Sequence, residues 1–246
     1  MSSYDRKTWY PLVAAIILIG AHATIAQVLL VRELLVVFYG NELCLGVIFG
    51  AWLLGVAVGA GVGAKLMKGI RDRLVLFLFL LLALCLLLPM QVSIIRLLRY
   101  LIDVPYGQQI SILSLLWSSP LIIMPFSFVI GFIFPFSVSV LKGFTRGGAT
   151  DIGAVYILES IGSLIGGAVF TFVLAPMSTS YEIMAILTSI VLTNLLILTL
   201  FIGKISHRKA LLGASISLLV VVLWLMLSAG VDRLESFFVE KRWESF

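Results

Sequence analysis

Charged residues are scarce in this chain, and in seven places they are missing altogether. No Asp, Glu, Lys or Arg occurs in 8–31, 43–64, 74–95, 104–141, 160–181, 183–203 or 210–231. Each run has the length of about 20 residues that an α-helix needs to cross a hydrocarbon core of about 30 Å. Period-two alternation is also lacking, so the runs read as helices and not as barrel strands. At 12% charged and 61% hydrophobic residues the chain excludes an ordinary soluble domain. Its two cysteines, Cys44 and Cys85, both fall inside uncharged runs and form no metal or redox motif. A His/Cys/carboxylate cluster with metal spacing, a Ser-His-Asp set and a phosphate-cradling loop are likewise lacking, so neither a metal nor a cofactor is expected.

What remains is a polytopic, all-α membrane helix bundle of about seven spans, with the lipid bilayer as its first partner. The formal charge of +5 does not point to nucleic acid, because the basic residues lie between spans and not on one soluble face. With seven spans and the N-terminus inside, eleven basic residues are cytoplasmic: Arg6, Lys7, Lys65, Lys68, Arg71, Arg73, Lys142, Arg146, Lys204, Arg208 and Lys209. Six are outside: Arg32, Arg96, Arg99, Arg233, Lys241 and Arg242. This asymmetry predicts a multi-pass protein of the cell (inner) membrane with a cytoplasmic N-terminus and an external C-terminus. The run 104–141 exceeds one perpendicular span and contains Pro120, Pro125 and Pro135. Proline kinks a helix, so one long bent helix from about Gln109 to Val140 is expected; dividing it would make the charge count nearly even.

Glycine marks where helices should touch. Gly55, Gly59 and Gly63 recur every fourth residue in the second span, and Gly162 and Gly166 repeat the device in the fifth. Such strips allow close backbone approach; internal packing, a homodimer contact or a sliding transport interface would each use them. The second and fifth spans occupy matching positions if the first six form two three-helix units.

Ionisable groups at membrane depth need a reason, because each costs at least about 2.5 kcal/mol near the centre. Glu159 lies well inside the fifth helix and His22 well inside the first, at comparable depths. Glu159 suits a hydrogen-bonded structural carboxyl, an anion for a cationic amine substrate, or a proton relay; His22 and Tyr156 are the residues expected to join it. Arg32 and Glu33 are expected to form an interfacial ion pair. The bundle is expected to occupy 1–231, followed by an amphipathic linker or interfacial helix over 232–246, where Leu234, Phe237 and Phe238 recur at i, i+3 and i+4.

Several motifs together carry a family resemblance. They are Gln27-Val28-Leu29-Leu30-Val31-Arg32-Glu33-Leu34-Leu35 followed by Gly40-Asn41, the Gly55/Gly59/Gly63 strip leading into a basic loop, and Gly131 with Phe134-Pro135. Gly153-Ala154-Val155-Tyr156-Ile157-Leu158-Glu159-Ser160-Ile161-Gly162 and the closing Ala175-Pro176 complete the set. The chain resembles the membrane domain of bacterial membrane-bound spermidine synthases (polyamine aminopropyltransferases), a bundle related to half of a major-facilitator transporter. The resemblance implies a membrane domain that anchors or regulates an aminopropyltransferase, with a polyamine as possible ligand. The strand, Gly-rich turn and acidic residues of such a catalytic domain do not occur in these 246 residues, so this polypeptide is not expected to transfer an aminopropyl group alone. A freestanding small transporter or scaffold is the alternative.

Overall fold

The computed structural model describes residues 6–40, 42–104, 108, 110–142, 149–202 and 207–243. Every regular element among them is helical: α1 (Arg6–Val37), α2 (Glu42–Leu66), α3 (Arg73–Leu101), α4 (Ile112–Lys142), α5 (Ala149–Val169), α6 (Ser180–Phe201), α7 (Arg208–Leu227) and α8 (Gly230–Trp243). Seven are long and apolar enough to cross a membrane, and α4 is one continuous helix through its three prolines. An odd number of crossings puts the start of α1 and the start of α8 at opposite ends of the bundle.

The helix ends follow from local chemistry. Tyr39 and Gly40 (φ 55° and 73°) close α1 in the left-handed region, and Asp103 does the same after α3. α5 continues through a wide π-turn, Phe170–Leu174, into a last turn, Ala175–Met177. Pro176 has no amide to donate, and the amide of Ala175 reaches back to the carbonyl of Phe170. A capping box then starts α6: the Thr179 hydroxyl accepts from the amide of Glu182, and the Glu182 carboxylate accepts from the amide of Thr179.

Two helix pairs hold the architecture together, α2 with α4 and α1 with α5, and in both the glycines are the points of contact. A Cβ at Gly59 would overlap the carbonyl of Phe128, and one at Gly131 would overlap that of Val56. In the second pair a Cβ at Gly162 would overlap the carbonyl of Ile17, and one at Gly20 that of Glu159. In all four cases the carbonyl belongs to the residue three positions before the partner helix's glycine. Gly63 against Phe132 and Gly166 against Ala21 continue the match. Exchanging α1 with α4 and α2 with α5 converts one contact into the other, as two three-helix units require. Each contact brings Cα–H groups onto carbonyl oxygens and adds dispersion that lipid tails cannot match. The strips thus serve internal packing; Gly46, Gly50 and Gly61, on the other side of α2, have open space around them.

α3 and α6 fill the space between these pairs. Gln91 of α3 donates to the carbonyl of Ile122 (2.6 Å), next to the turn of α4 that Pro125 interrupts. Asn194 of α6 donates to the carbonyl of Pro11 in α1 (3.2 Å). α7 is peripheral: of its residues only Leu211 and Ser215 are buried.

Candidate functional site

The densest polar constellation lies where α1, α3, α6 and α8 converge. Glu33 sits one turn before the end of α1, and Arg96 sits five residues, about 7.5 Å, inside the end of α3. Both are buried, Arg96 with 3% of its surface exposed. The Arg96 Nε and Nη2 groups donate to the two Glu33 carboxylate oxygens at 3.0 and 2.8 Å, the two-pronged geometry in which guanidinium and carboxylate bind best. Arg96 Nη1 lies 2.7 Å from an Oε of Glu235 on α8, so one arginine joins two carboxylates from opposite ends of the sequence.

The first turn of α6 completes the cluster. Ser180 donates to Glu33 (2.6 Å) and accepts from Arg32 (2.9 Å). The amide of Tyr181 donates to Glu235 (3.3 Å), the Tyr181 ring lies 4.9 Å beneath the Arg96 guanidinium, and its hydroxyl is 2.6 Å from that of Ser93. Tyr181 also stacks on Phe238 of α8 at 5.5 Å. Two formal negative charges thus face Arg96 directly and Arg32 through a hydroxyl, which leaves the cluster balanced and largely hydrogen-bonded. That balance is what a buried charge needs to persist away from water.

A second arginine, Arg99, anchors the loops at the same end. It donates to the carbonyls of Val37 (3.4 Å) and Gln108 (2.9 Å), and its guanidinium lies 5.0 Å from the Tyr39 ring. One side chain therefore ties the α1–α2 turn to the segment between α3 and α4.

Of the residues expected from the sequence, the glycine strips lie at helix contacts and Arg32 and Glu33 share this cluster. The close ionic partner of Glu33 is Arg96, and Arg32 enters the network through Ser180. Arg32 precedes Glu33 by one residue, about 100° around the helix, and the two side chains meet on the Ser180 hydroxyl, whereas Arg96 faces Glu33 across the α1–α3 contact. His22, Glu159 and Tyr156 do not form one site. His22 is buried against Phe126 of α4, ring centroids 5.6 Å apart, and neither ring nitrogen has a hydrogen-bond partner among the described residues. Glu159 lies on the face of α5 that packs on Gly20 and Ile17 of α1, with one carboxylate oxygen buried and without a hydrogen-bond partner among the described residues. On α1 those contact positions and His22 point about 150° apart, which follows from 3.6 residues per turn. Tyr156 is 67% exposed, off the stripe of Asp151, Val155, Gly162 and Gly166 that meets the rest of the bundle.

Arg96, Ser180, Tyr181 and Glu235 were not singled out in the sequence. Counting loop charges assigns Arg96 to a loop, although it lies inside a helix. The available signal was the pairing of an in-helix acid near the end of the first span with an in-helix base near the end of the third, which alternate crossing brings to the same side. No group of three or more potential metal ligands occurs among the described residues. No family model, curated protein or solved structure matches the chain.

Proposed function

We propose that this bundle is the membrane domain of a polyamine aminopropyltransferase-like protein, and that its task is to hold a C-terminal segment in a fixed pose at one face of the bilayer. The observation that carries the anchoring role is the Glu33–Arg96–Glu235 joint. An amphipathic helix lying at an interface needs only its apolar face, yet α8 also places a carboxylate on a buried arginine of α3. This joint specifies orientation as well as depth. The polyamine connection rests on the motifs around Arg32-Glu33, Gly55–Gly63 and Tyr156–Gly162. In this reading a long amine reaching the membrane interior meets Glu159, whose buried oxygen lacks a partner among the described residues.

A freestanding transporter or scaffold of the cell membrane is the second reading, and the orientation favours it. In this reading the basic excess at the N-terminal end of the bundle puts that end in the cytoplasm and α8 outside. An aminopropyltransferase drawing donor and amine from the cytoplasm needs its catalytic part on the other side. Two measurements divide the readings. The mass of the native protein in its own membrane shows whether a catalytic domain of about 150 residues or more is attached. A reporter fused after Phe246 shows the side on which α8 lies; activity confined to the cytoplasm refutes the external placement.

A further inference from the structure

An elongated cavity of about 320 Å³ runs between α3, α6, α7 and α8, directly below the charged joint. Its volume is at the low end of the range of about 300–1,000 Å³ typical of ligand sites. On α3 its wall extends from Cys85 to Ser93, about 12 Å along the helix axis. The mid-membrane end is lined by Cys85, Thr188 and Leu218, and the end toward α8 by Ser93, Tyr181 and Phe238. Apolar side chains make up nearly all of the wall; the Ser93–Tyr181 hydroxyl pair lies at the α8 end.

We infer that this slot binds one acyl chain of a bilayer phospholipid, with α8 as its roof. Three features select that occupant. The slot is parallel to the membrane-spanning helices and lies at membrane depth, so an alkyl chain already aligned with the bilayer can enter it, whereas a compact polar solute would lose its hydration. Its long side is closed by α7, the least buried of the spanning helices, so entry from lipid separates few protein contacts. The third feature is charge: Arg233, one residue before the roof residue Leu234, is exposed and donates to the carbonyl of Ser228 (2.9 Å) at the α7–α8 turn. Arg233 stands six residues after the last span ends at Leu227, which is where the phosphates of the surrounding lipid are expected, and guanidinium groups bind phosphate through two-pronged hydrogen bonds. The chain end and the headgroup thus have separate determinants, a slot and a cation.

The test uses the full-length protein reconstituted in phosphatidylglycerol/phosphatidylcholine vesicles that contain a phospholipid with a photoactivatable diazirine at mid-chain. After irradiation, mass spectrometry maps the adducts. The expected result is labelling of the α3 and α6 segments around Cys85 and Met184 above that of the outward residues Leu164 of α5 and Phe172 of the π-turn that follows it. Val222→Trp, which fills the slot from the loosely held α7, should reduce the Cys85-segment signal to the α5 level while leaving the α5 signal unchanged. Leu218→Trp serves the same purpose if Val222→Trp fails to fold. Arg233→Ala should lower slot labelling by the phospholipid probe. Equal labelling of slot and α5 residues, or slot labelling unaffected by either tryptophan, overturns the site. Displacement of the probe by excess palmitate, or no effect of Arg233→Ala, overturns the phospholipid assignment.

Discussion

Glu33 of α1 and Arg96 of α3 meet face to face inside the bundle, with two hydrogen bonds of 2.8 and 3.0 Å between their charged groups. The pair joins the first and third spans at the end opposite the N-terminus, and through Glu235 it extends to the last helix. A buried pair of this kind adds little stability over an apolar packing of the same shape, but losing one member strands the other charge.

Arg96→Met should therefore destabilise the protein by about 3–5 kcal/mol, because Glu33 would remain buried without its cation. The double variant Glu33→Gln/Arg96→Met should recover much of that loss. Thermal unfolding in detergent reads both; a double variant no more stable than Arg96→Met would show that the guanidinium contributes by packing and not by charge.

Glu235→Gln should leave the seven spans intact and free α8, since its side chain is 17% exposed and Arg96 keeps Glu33 as a partner. Limited trypsinolysis at Lys241 should become faster while the melting temperature of the bundle changes little. An unchanged cleavage rate would mean that apolar contacts of α8, such as buried Val231 and the Tyr181–Phe238 stack, hold it without the carboxylate.

The two glycine contacts should respond alike. Gly59→Leu and Gly162→Leu each force a side chain into a carbonyl of the neighbouring helix and should each cost about 1–3 kcal/mol or prevent folding. Gly61→Leu, with open space around it, is the control and should be close to neutral. Folded yield in membranes separates the three variants.

Glu159→Gln should abolish binding of spermidine or putrescine by the purified protein without affecting insertion. The amide keeps the shape and loses the charge that a long amine needs in a dry site. Binding by isothermal titration that is equal in wild type and variant would leave Glu159 with its packing role against Gly20.

The seven spans were legible because the cost of placing a charge in hydrocarbon excludes it from long runs, so the absence of Asp, Glu, Lys and Arg marks each helix without reference to its neighbours. The glycine strips were legible for a similar local reason: bare backbone at four-residue spacing has little purpose except close approach. Which helices those strips would meet was not. The spacing of Gly55, Gly59 and Gly63 fits many partners equally, and only the packed bundle sets them on the Phe128 and Phe132 carbonyls of α4. The charged joint lay further from view. Arg96 reads as a loop charge because it is near the end of a run, and its partners, at positions 33 and 235, come together only when α1, α3 and α8 share one end of the bundle. The direction in which His22 and Glu159 point was decided the same way. Periodicity gives their angle around their own helices, but the neighbouring helix that lies at that angle is a property of the tertiary structure.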